Sequence, residues 1–211
     1  MQGPFLVVTR IAVPSGKDME LDRNSQGELF AALLAIPSAA GVMSLRLVKG
    51  YGPPQVVIWE TERWETSVER AYDLVTRPDR AIASTIAGQP RTVYREIARF
   101  RQPQVVEERR SLLLVQMDIP SEFEDEFNSW YDSEHIPMLM QVPGWTSSRR
   151  YILISGDAPK YMTLYELEGP WALDRPEHEM THRTEWYKSM RPHFENFSSL
   201  LYEQISELQS R

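Results

Sequence analysis

Residues 6–14 read LVVTRIAVP and residues 112–120 read LLLVQMDIP, so an apolar, β-branched run that ends at a proline occurs twice in the chain. Pro14 and Pro120 are 106 residues apart (120 − 14). The same offset aligns four further pairs without a gap: Pro37 with Pro143, Gly50 with Gly156, Pro53 with Pro159 and Glu60 with Glu166. Chance matches would scatter over many offsets, so the chain is predicted to be a tandem duplication.

Each copy shows the same order of predicted elements, judged from β-branched runs, helical spacing and Gly/Pro turns. The first copy has strand 5–13, helix 17–35, strands 42–49 and 55–61, helix 64–87 and strand 93–100; the second has strand 112–119, helix 122–140, strands 145–155 and 161–167, helix 176–191 and strand 199–208. This β-α-β-β-α-β order is typical of the ferredoxin-like unit. One such unit leaves a sheet face uncovered, so the two copies are predicted to form an intrachain pseudo-dimeric α+β barrel with the helices outside.

The predicted organisation is therefore a first ferredoxin-like repeat at 1–100, a linker at 101–110 and a second repeat at 111–211. The linker sequence, RQPQVVEERR, is polar and charged, as expected of a connection between repeats. We expect the chain to exist as a monomeric pseudo-dimer or as a homodimer.

Composition excludes several classes of function. The 211 residues carry a net charge of −7, which disfavours a nucleic-acid-binding surface. The absence of cysteine removes disulfides, thiolate nucleophiles and cysteine metal sites. No long apolar segment, secretion signal or nucleotide-binding motif is present, so we expect a cytoplasmic protein without a membrane partner and without a cofactor.

The two copies differ most clearly in the first helix. All four histidines of the chain lie in the second copy. Positions that differ between duplicated halves are the better candidates for function, because the halves share their structural needs. The aligned pairs that differ are Trp130 with Asn24, Tyr131 with Ser25, and His135 with Leu29. Glu134 instead aligns with Glu28, which indicates a structural role such as binding backbone donors or an arginine; it is also kept as a candidate substrate contact.

His135 is the candidate acid or base. At about 100° per residue it lies at the edge of the apolar stripe formed by Phe127 and Tyr131. Pro137 disfavours helix at the residue before it, so the helix is predicted to end just after His135. The helix dipole and Asp132 would then favour the protonated imidazole. Such a histidine could transfer protons near neutral pH, or it could only cap the helix by bonding a free carbonyl.

A second difference between the copies is the strand segment WTSSRRY at 145–151. Trp145 is a candidate substrate contact. Arg149 and Arg150 are consecutive, so only one of them is predicted to face the interior. An inward arginine would bind a carboxylate or stabilise an enolate, whereas an outward one would be a solvated surface charge.

The segment HEMTH at 178–182 matches the letters of the His-Glu-x-x-His zinc motif. A catalytic zinc also needs a third ligand, and the sequence does not signal one. We therefore expect no metal site, and His178 and His182 are predicted to line a cleft or the surface.

The string FNSWYDSEHIP at 127–137, followed by VPG at 142–144 and RRY at 149–151, resembles the dimeric α+β barrel superfamily and is most similar to its EthD-like members. The first copy lacks the Trp, Tyr and His of this string, so the resemblance implies a fused pseudo-dimer with one working site. It also implies a range of activities: cofactor-free monooxygenases, lactone isomerases, polyketide cyclases and decarboxylases. In several of these proteins a cleft histidine moves the proton, and His135 is the matching position.

The leading hypothesis is a cofactor-independent lyase or isomerase/cyclase that acts by acid/base chemistry on a small hydrophobic, phenolic or polyketide-like substrate. His135 would transfer the proton, Tyr131 or Asp132 would orient it, and the two arginines would bind the anion. One alternative is a cofactor-free monooxygenase of an electron-rich phenol, which would bind beside Trp130 or Trp145. The other is a protein that binds a small ligand without catalysis.

Overall fold

The computed structural model describes residues 4–10, 23–36, 38–63, 91–102 and 111–209. Their strands are β1 (Phe5–Arg10), β2 (Ala39–Lys49), β3 (Gln55–Thr61), β4 (Arg91–Arg101), β5 (Ser111–Asp118), β6 (Trp145–Ser155), β7 (Tyr161–Leu167) and β8 (Glu195–Gln209). Their α-helices are α1 (Arg23–Leu34), α2 (Glu124–Trp130), α3 (Ile136–Leu139), α4 (Pro176–Thr181) and α5 (Glu185–Met190). The α+β class is confirmed.

The chain divides into two compact units. Unit 1 comprises Met1–Glu96, Leu153–Ala158 and Gln204–Arg211, and unit 2 comprises Ile97–Ile152 and Pro159–Glu203. In unit 1 the antiparallel pairs are β1 with β3, β1 with β4, and β2 with β3, so the strand order is β4-β1-β3-β2. Its core is built from alternate residues of these strands and the apolar face of α1, including Val7, Val57, Leu29 and Leu33.

Unit 2 contains the corresponding arrangement. β5 pairs antiparallel with β7 and with β8, and β6 pairs with β7. Its core is rich in aromatic rings, which come from both the helices and the sheet, as Trp130 and Tyr165 illustrate. The candidate residues of the sequence motif therefore lie in the core between a helical segment and a sheet of unit 2.

The repeat offset recurs in the strand geometry. β6 has the bounds of β2 shifted by 106 residues (145 − 39), and β7 has those of β3 with the same shift. Both copies interrupt their strand register at equivalent points, Ala39/Gly41 and Trp145/Ser147. Gly50 and Gly156 both adopt φ 111°. The two copies therefore share these details of local backbone structure, which supports the predicted duplication.

Part of the predicted organisation lies outside the described residues. This holds for the helix expected at 64–87 and for residues 103–110 of the expected linker. The ferredoxin-like assignment of both repeats, their boundaries and their packing as a pseudo-dimeric barrel therefore stay predictions.

The helical segment before β6 covers nearly the whole of the predicted helix 122–140, but it is less regular than expected. A 3₁₀ turn (Ser121–Phe123) leads into α2, a π-helical turn (Tyr131–His135) follows, and α3 continues to Leu139. The Ile136 N–H donates to the Tyr131 carbonyl, the i→i−5 bond of a π-helix. The predicted helix end after His135 is wrong, because the wider turn accommodates Pro137, whose ring would clash with a carbonyl in a regular α-helix.

The second predicted helix of this copy, 176–191, is divided. α4 ends at Thr181 and α5 begins at Glu185. Thr184 is the N-cap of α5, and its hydroxyl accepts a hydrogen bond from the Tyr187 N–H at 3.0 Å. No helix in the described part of the chain is long and apolar enough to cross a membrane.

The turn before β6 requires glycine at position 144. Gly144 has φ +87°, and a Cβ there would lie 2.6 Å from Trp171 Cη2 and 2.9 Å from the Ala172 Cβ. We expect Gly144→Ala to lower the free energy of unfolding by at least about 2 kcal/mol in urea denaturation. The control is Gly27→Ala, at an exposed helical position with open space around it, which should raise stability by about 0.5–1 kcal/mol. Equal effects of the two substitutions would contradict this account of the turn.

Candidate functional site

His135 lies in the π-helical turn with its side chain buried among aromatic rings. It is 7% exposed, and its ring stacks on that of Trp130 with 4.6 Å between centroids. The Tyr131 ring meets it edge-on at 5.0 Å. The rings of His182 and Tyr187, from the segment that contains α4 and α5, are inclined to it by 24° and 29°, each with 6.3 Å between centroids. The structure thus surrounds the imidazole with side chains from two separate helical segments.

The His135 ring is neutral near neutral pH. Burial, together with smaller contributions from the neighbouring His182, His178 and Arg150 side chains, lowers the pKa of the imidazole to about 3. The expectation that the helix dipole and Asp132 favour the protonated imidazole is wrong, because the helix continues past His135 and the ring is buried and not exposed to solvent.

The His135 Nδ1 atom is buried and has no hydrogen-bond partner among the described residues. Leaving a buried polar atom unpaired costs about 1–3 kcal/mol, so such atoms are uncommon in folded proteins. This nitrogen therefore has a hydrogen-bonding capacity that no described residue uses.

The low pKa of His135 predicts acid sensitivity. The imidazole of the unfolded chain titrates near pH 6.5, so the unfolded state binds the extra proton as pH falls from about 6.5 to about 3. The stabilisation is fully present above this window and is lost within it, by on the order of a few kcal/mol. Urea denaturation at successive pH values should show a smaller acid-induced loss for His135→Leu than for wild type. Equal losses would contradict the assignment.

Tyr131 is fixed by the sheet behind it. Its hydroxyl hydrogen-bonds the Tyr165 hydroxyl of β7 at 2.9 Å. Burial raises the pKa of both hydroxyls, that of Tyr165 well above its ordinary value. The Arg150 guanidinium lies 4.6 Å from the centroid of the Tyr131 ring, close enough for a cation–π interaction. Tyr131 therefore contacts His135 through its ring, while its hydroxyl is bonded to the sheet.

Both arginines of β6 are buried, on opposite faces of the strand. The Arg150 side chain is 2% exposed and donates to Asp132 Oδ1 at 2.6 Å and to Asn128 Oδ1 at 2.7 Å. Arg149, 7% exposed, lies 5.9 Å from the centroid of the Tyr151 ring. The expectation that only one arginine faces the interior is wrong, because both faces of this part of β6 are covered. Asp132, a candidate for orienting His135, binds Arg150.

Glu134 accepts hydrogen bonds from two side chains, where the sequence predicts backbone donors or an arginine. Its Oε1 atom accepts hydrogen bonds from Trp130 Nε1 at 3.1 Å and from Thr184 Oγ1 at 2.7 Å. The expected backbone or arginine partner is therefore replaced by an indole and a hydroxyl. The aligned Glu28 of unit 1 has a buried Oε2 without a partner among the described residues, and the residue aligned in sequence with Trp130 is Asn24.

Trp145, His178 and His182 form a second group of rings. Trp145 Nε1 donates to the Ala172 carbonyl at 3.3 Å, and its ring centroid is 5.2 Å from that of His178. His178 Nδ1 donates to the Leu173 carbonyl at 2.8 Å. The centroids of His178 and His182 are 4.9 Å apart, so the two histidines extend the ring cluster from His135 towards Trp145.

The described residues contain no group of three His, Asp or Glu side chains placed to hold a metal ion. The glutamate of the His-Glu-x-x-His letters, Glu179, pairs with Arg183 at the surface. These histidines therefore belong to the ring cluster and do not form a three-ligand site in the described part of the chain.

A cavity of about 230 Å³ lies elsewhere, in unit 1. Its lining includes Leu6, Met43, Ile58, Trp59, Glu60 and Glu207. None of these lining residues is predicted from the sequence as a site residue. None belongs to the His135 cluster, which comprises His135 and the rings of Trp130, Tyr131, His182 and Tyr187 around it.

Comparison with known proteins identifies the fold. No protein-family profile and no curated protein sequence matches the chain. Among solved structures, a “Putative monooxygenase” from Fusobacterium nucleatum has a TM-score of 0.65 at 8% identity, covering 99% of this chain and 95% of that one. An anthrone oxidase-like protein has a TM-score of 0.63 at 11% identity, with coverages of 98% and 92%. Chlorite dismutase from Candidatus Nitrospira defluvii has a TM-score of 0.67 at 11% identity, with coverages of 97% and 92%. At these identities the likeness establishes the fold alone.

Proposed function

We propose that unit 2 holds the active site of an enzyme that removes a proton from a small aromatic, phenol-type substrate, with the neutral His135 imidazole as the proton acceptor. The observation that carries this proposal is the buried His135 Nδ1, which has no partner among the described residues. The surrounding rings of Trp130, Tyr131 and Tyr187 favour a flat aromatic substrate, because aromatic rings pack on one another edge-on or stacked.

A neutral His135 suits chemistry that begins by taking a proton. With a pKa of about 3, almost no imidazolium that could donate a proton is present near neutral pH. A substrate anion formed beside the ring would supply a counter-charge and would raise the pKa of the imidazole. Proton transfer and ion-pair formation would therefore support each other in the complex.

Oxygenation is the first candidate for the fate of that anion. The Fusobacterium nucleatum protein and the anthrone oxidase-like protein share the fold, and their names point to this chemistry. In a cofactor-free monooxygenase reaction the carbanion reduces dioxygen, one oxygen atom enters the substrate as a carbonyl, and the other leaves as water.

Isomerisation, cyclisation or decarboxylation is the second candidate, as the EthD-like resemblance implies. The neutral imidazole favours the isomerase or cyclase reactions, because they begin with the same proton removal and differ only in where the proton returns. Dehydration that starts with proton donation fits a neutral His135 less well. Neither candidate calls for an added metal or nucleotide.

Anthrone and simple phenols provide the test. Under anaerobic conditions in D₂O, wild type should speed deuterium incorporation at the acidic carbon of anthrone above the uncatalysed rate, and His135→Leu should not. In air, consumption of one dioxygen per anthrone converted to anthraquinone and water would identify the monooxygenase. Exchange without oxygen uptake would favour the isomerase or cyclase class. Saturable binding without exchange or uptake would overturn the proposal in favour of a ligand-binding protein.

A further inference from the structure

Thr184 lies where α4 and α5 are separated, and its hydroxyl is fully used. It donates to Glu134 Oε1 at 2.7 Å and accepts from the Tyr187 N–H at 3.0 Å. The same Glu134 Oε1 accepts from Trp130 Nε1 at 3.1 Å. A continuous chain of hydrogen bonds therefore joins Trp130 to Tyr187 through one carboxylate oxygen and one hydroxyl.

The two residues that this chain joins both present their rings to His135 and lie beside each other, with 5.9 Å between the centroids of Trp130 and Tyr187. Trp130 stacks on the imidazole with 4.6 Å between centroids, and the Tyr187 ring is inclined to it by 29° at 6.3 Å. We propose that Thr184 is a positioning residue, which docks the α4–α5 segment on the π-helical turn and so keeps the rings of Tyr187 and His182 against His135. This role concerns the position of the ring; only its effect on turnover rests on the proposed function.

Loss of the Thr184 bond would change the surroundings of His135 in a defined way. The α4–α5 segment contributes His178, His182 and Tyr187 to the environment of the imidazole, whereas β6 contributes Arg150. Glu134 and Tyr131 face it from its own turn. If the segment moves away, water reaches the ring, and His178 and His182, which both lower the pKa of His135, withdraw from it; both changes raise that pKa.

The test is a titration of His135 by NMR in four full-length proteins. In Thr184→Val, which keeps the shape and removes the hydroxyl, the His135 ring signal should titrate with a midpoint above about pH 5. In wild type and in Thr184→Ser, which restores the hydroxyl, it should stay neutral down to that pH. The control is Thr181→Val, which removes the buried Thr181 Oγ1 bond to the His178 carbonyl in the same segment and should leave the titration unchanged.

A wild-type titration in Thr184→Val would overturn the proposal, and so would an equal shift in Thr181→Val. Thr184→Ala provides the same test if the valine variant does not fold. Because the readout needs no substrate, it is independent of the outcome of the exchange and oxygen assays.

Discussion

Replacing His135 by leucine should reduce turnover by about 10²–10⁴-fold, the usual contribution of a positioned acid or base. The fold should persist, since the aligned Leu29 is 2% exposed in the core of unit 1. Near neutral pH the free energy of unfolding should stay level or rise by about 1 kcal/mol, because the variant removes a buried nitrogen without a partner. Anaerobic deuterium exchange and urea denaturation, run on the same preparations, separate the two effects.

His193→Leu is the matched control for this substitution. His193 also lies in the second copy, but its ring stacks on Phe123 at 3.6 Å, outside the His135 cluster. Its loss should leave exchange at the wild-type rate. Turnover at the wild-type rate in a folded His135→Leu variant would remove His135 from the mechanism and direct attention to His178 and His182.

Replacing Trp130 by alanine should cause the largest loss of stability in unit 2. Trp130 is 1% exposed and packs on Phe127, Tyr131 and His135. Large-to-small substitutions of this kind lower the free energy of unfolding by about 3–5 kcal/mol, because the cavity they leave is only partly filled. The measurement is urea denaturation followed by circular dichroism.

Trp171→Ala serves as the control for the loss of an indole. Trp171 is 46% exposed, so its removal should change stability by about 1 kcal/mol or less. Comparable losses for the two tryptophans would mean that Trp130 is not central to this core.

The strands were predictable because local signals define them. The predicted bounds of β3, β6 and β7 agree with the structure, since each run contains β-branched and aromatic residues and begins within two residues of a glycine or proline. The helices were harder. Pro137 was interpreted as a helix end, but whether a proline ends a helix or is absorbed by a wider turn depends on what packs against that turn.

The sequence predicts which residues of the π-helical turn belong to the candidate site, but not the contacts that they make with distant parts of the chain. The comparison of the two copies selected Trp130, Tyr131 and His135, which the structure brings into contact. The charge state of His135 required knowledge of burial, which depends on residues more than forty positions away. The sequence reasoning missed three contacts that come from distant elements or from the helix break: Tyr165, Thr184 and Tyr187. Thr184 had one local signal, a threonine followed by glutamate, which is typical of a helix N-cap.

The π-helical turn has a consequence for exchanging parts between the copies. Residues 25–29, which align with Tyr131–His135, lie within the α-helix α1, yet the offset of 106 continues unchanged from Glu28 and Glu134 to Pro37 and Pro143. The π-helical turn therefore differs from the aligned α-helical segment in its hydrogen-bond pattern and not in its number of residues. Residues 130–137 could replace 24–31 as one cassette, with proline taking the place of Ala31, without altering the length of the chain. Such a graft would test whether unit 1 can acquire the deuterium-exchange activity proposed for unit 2.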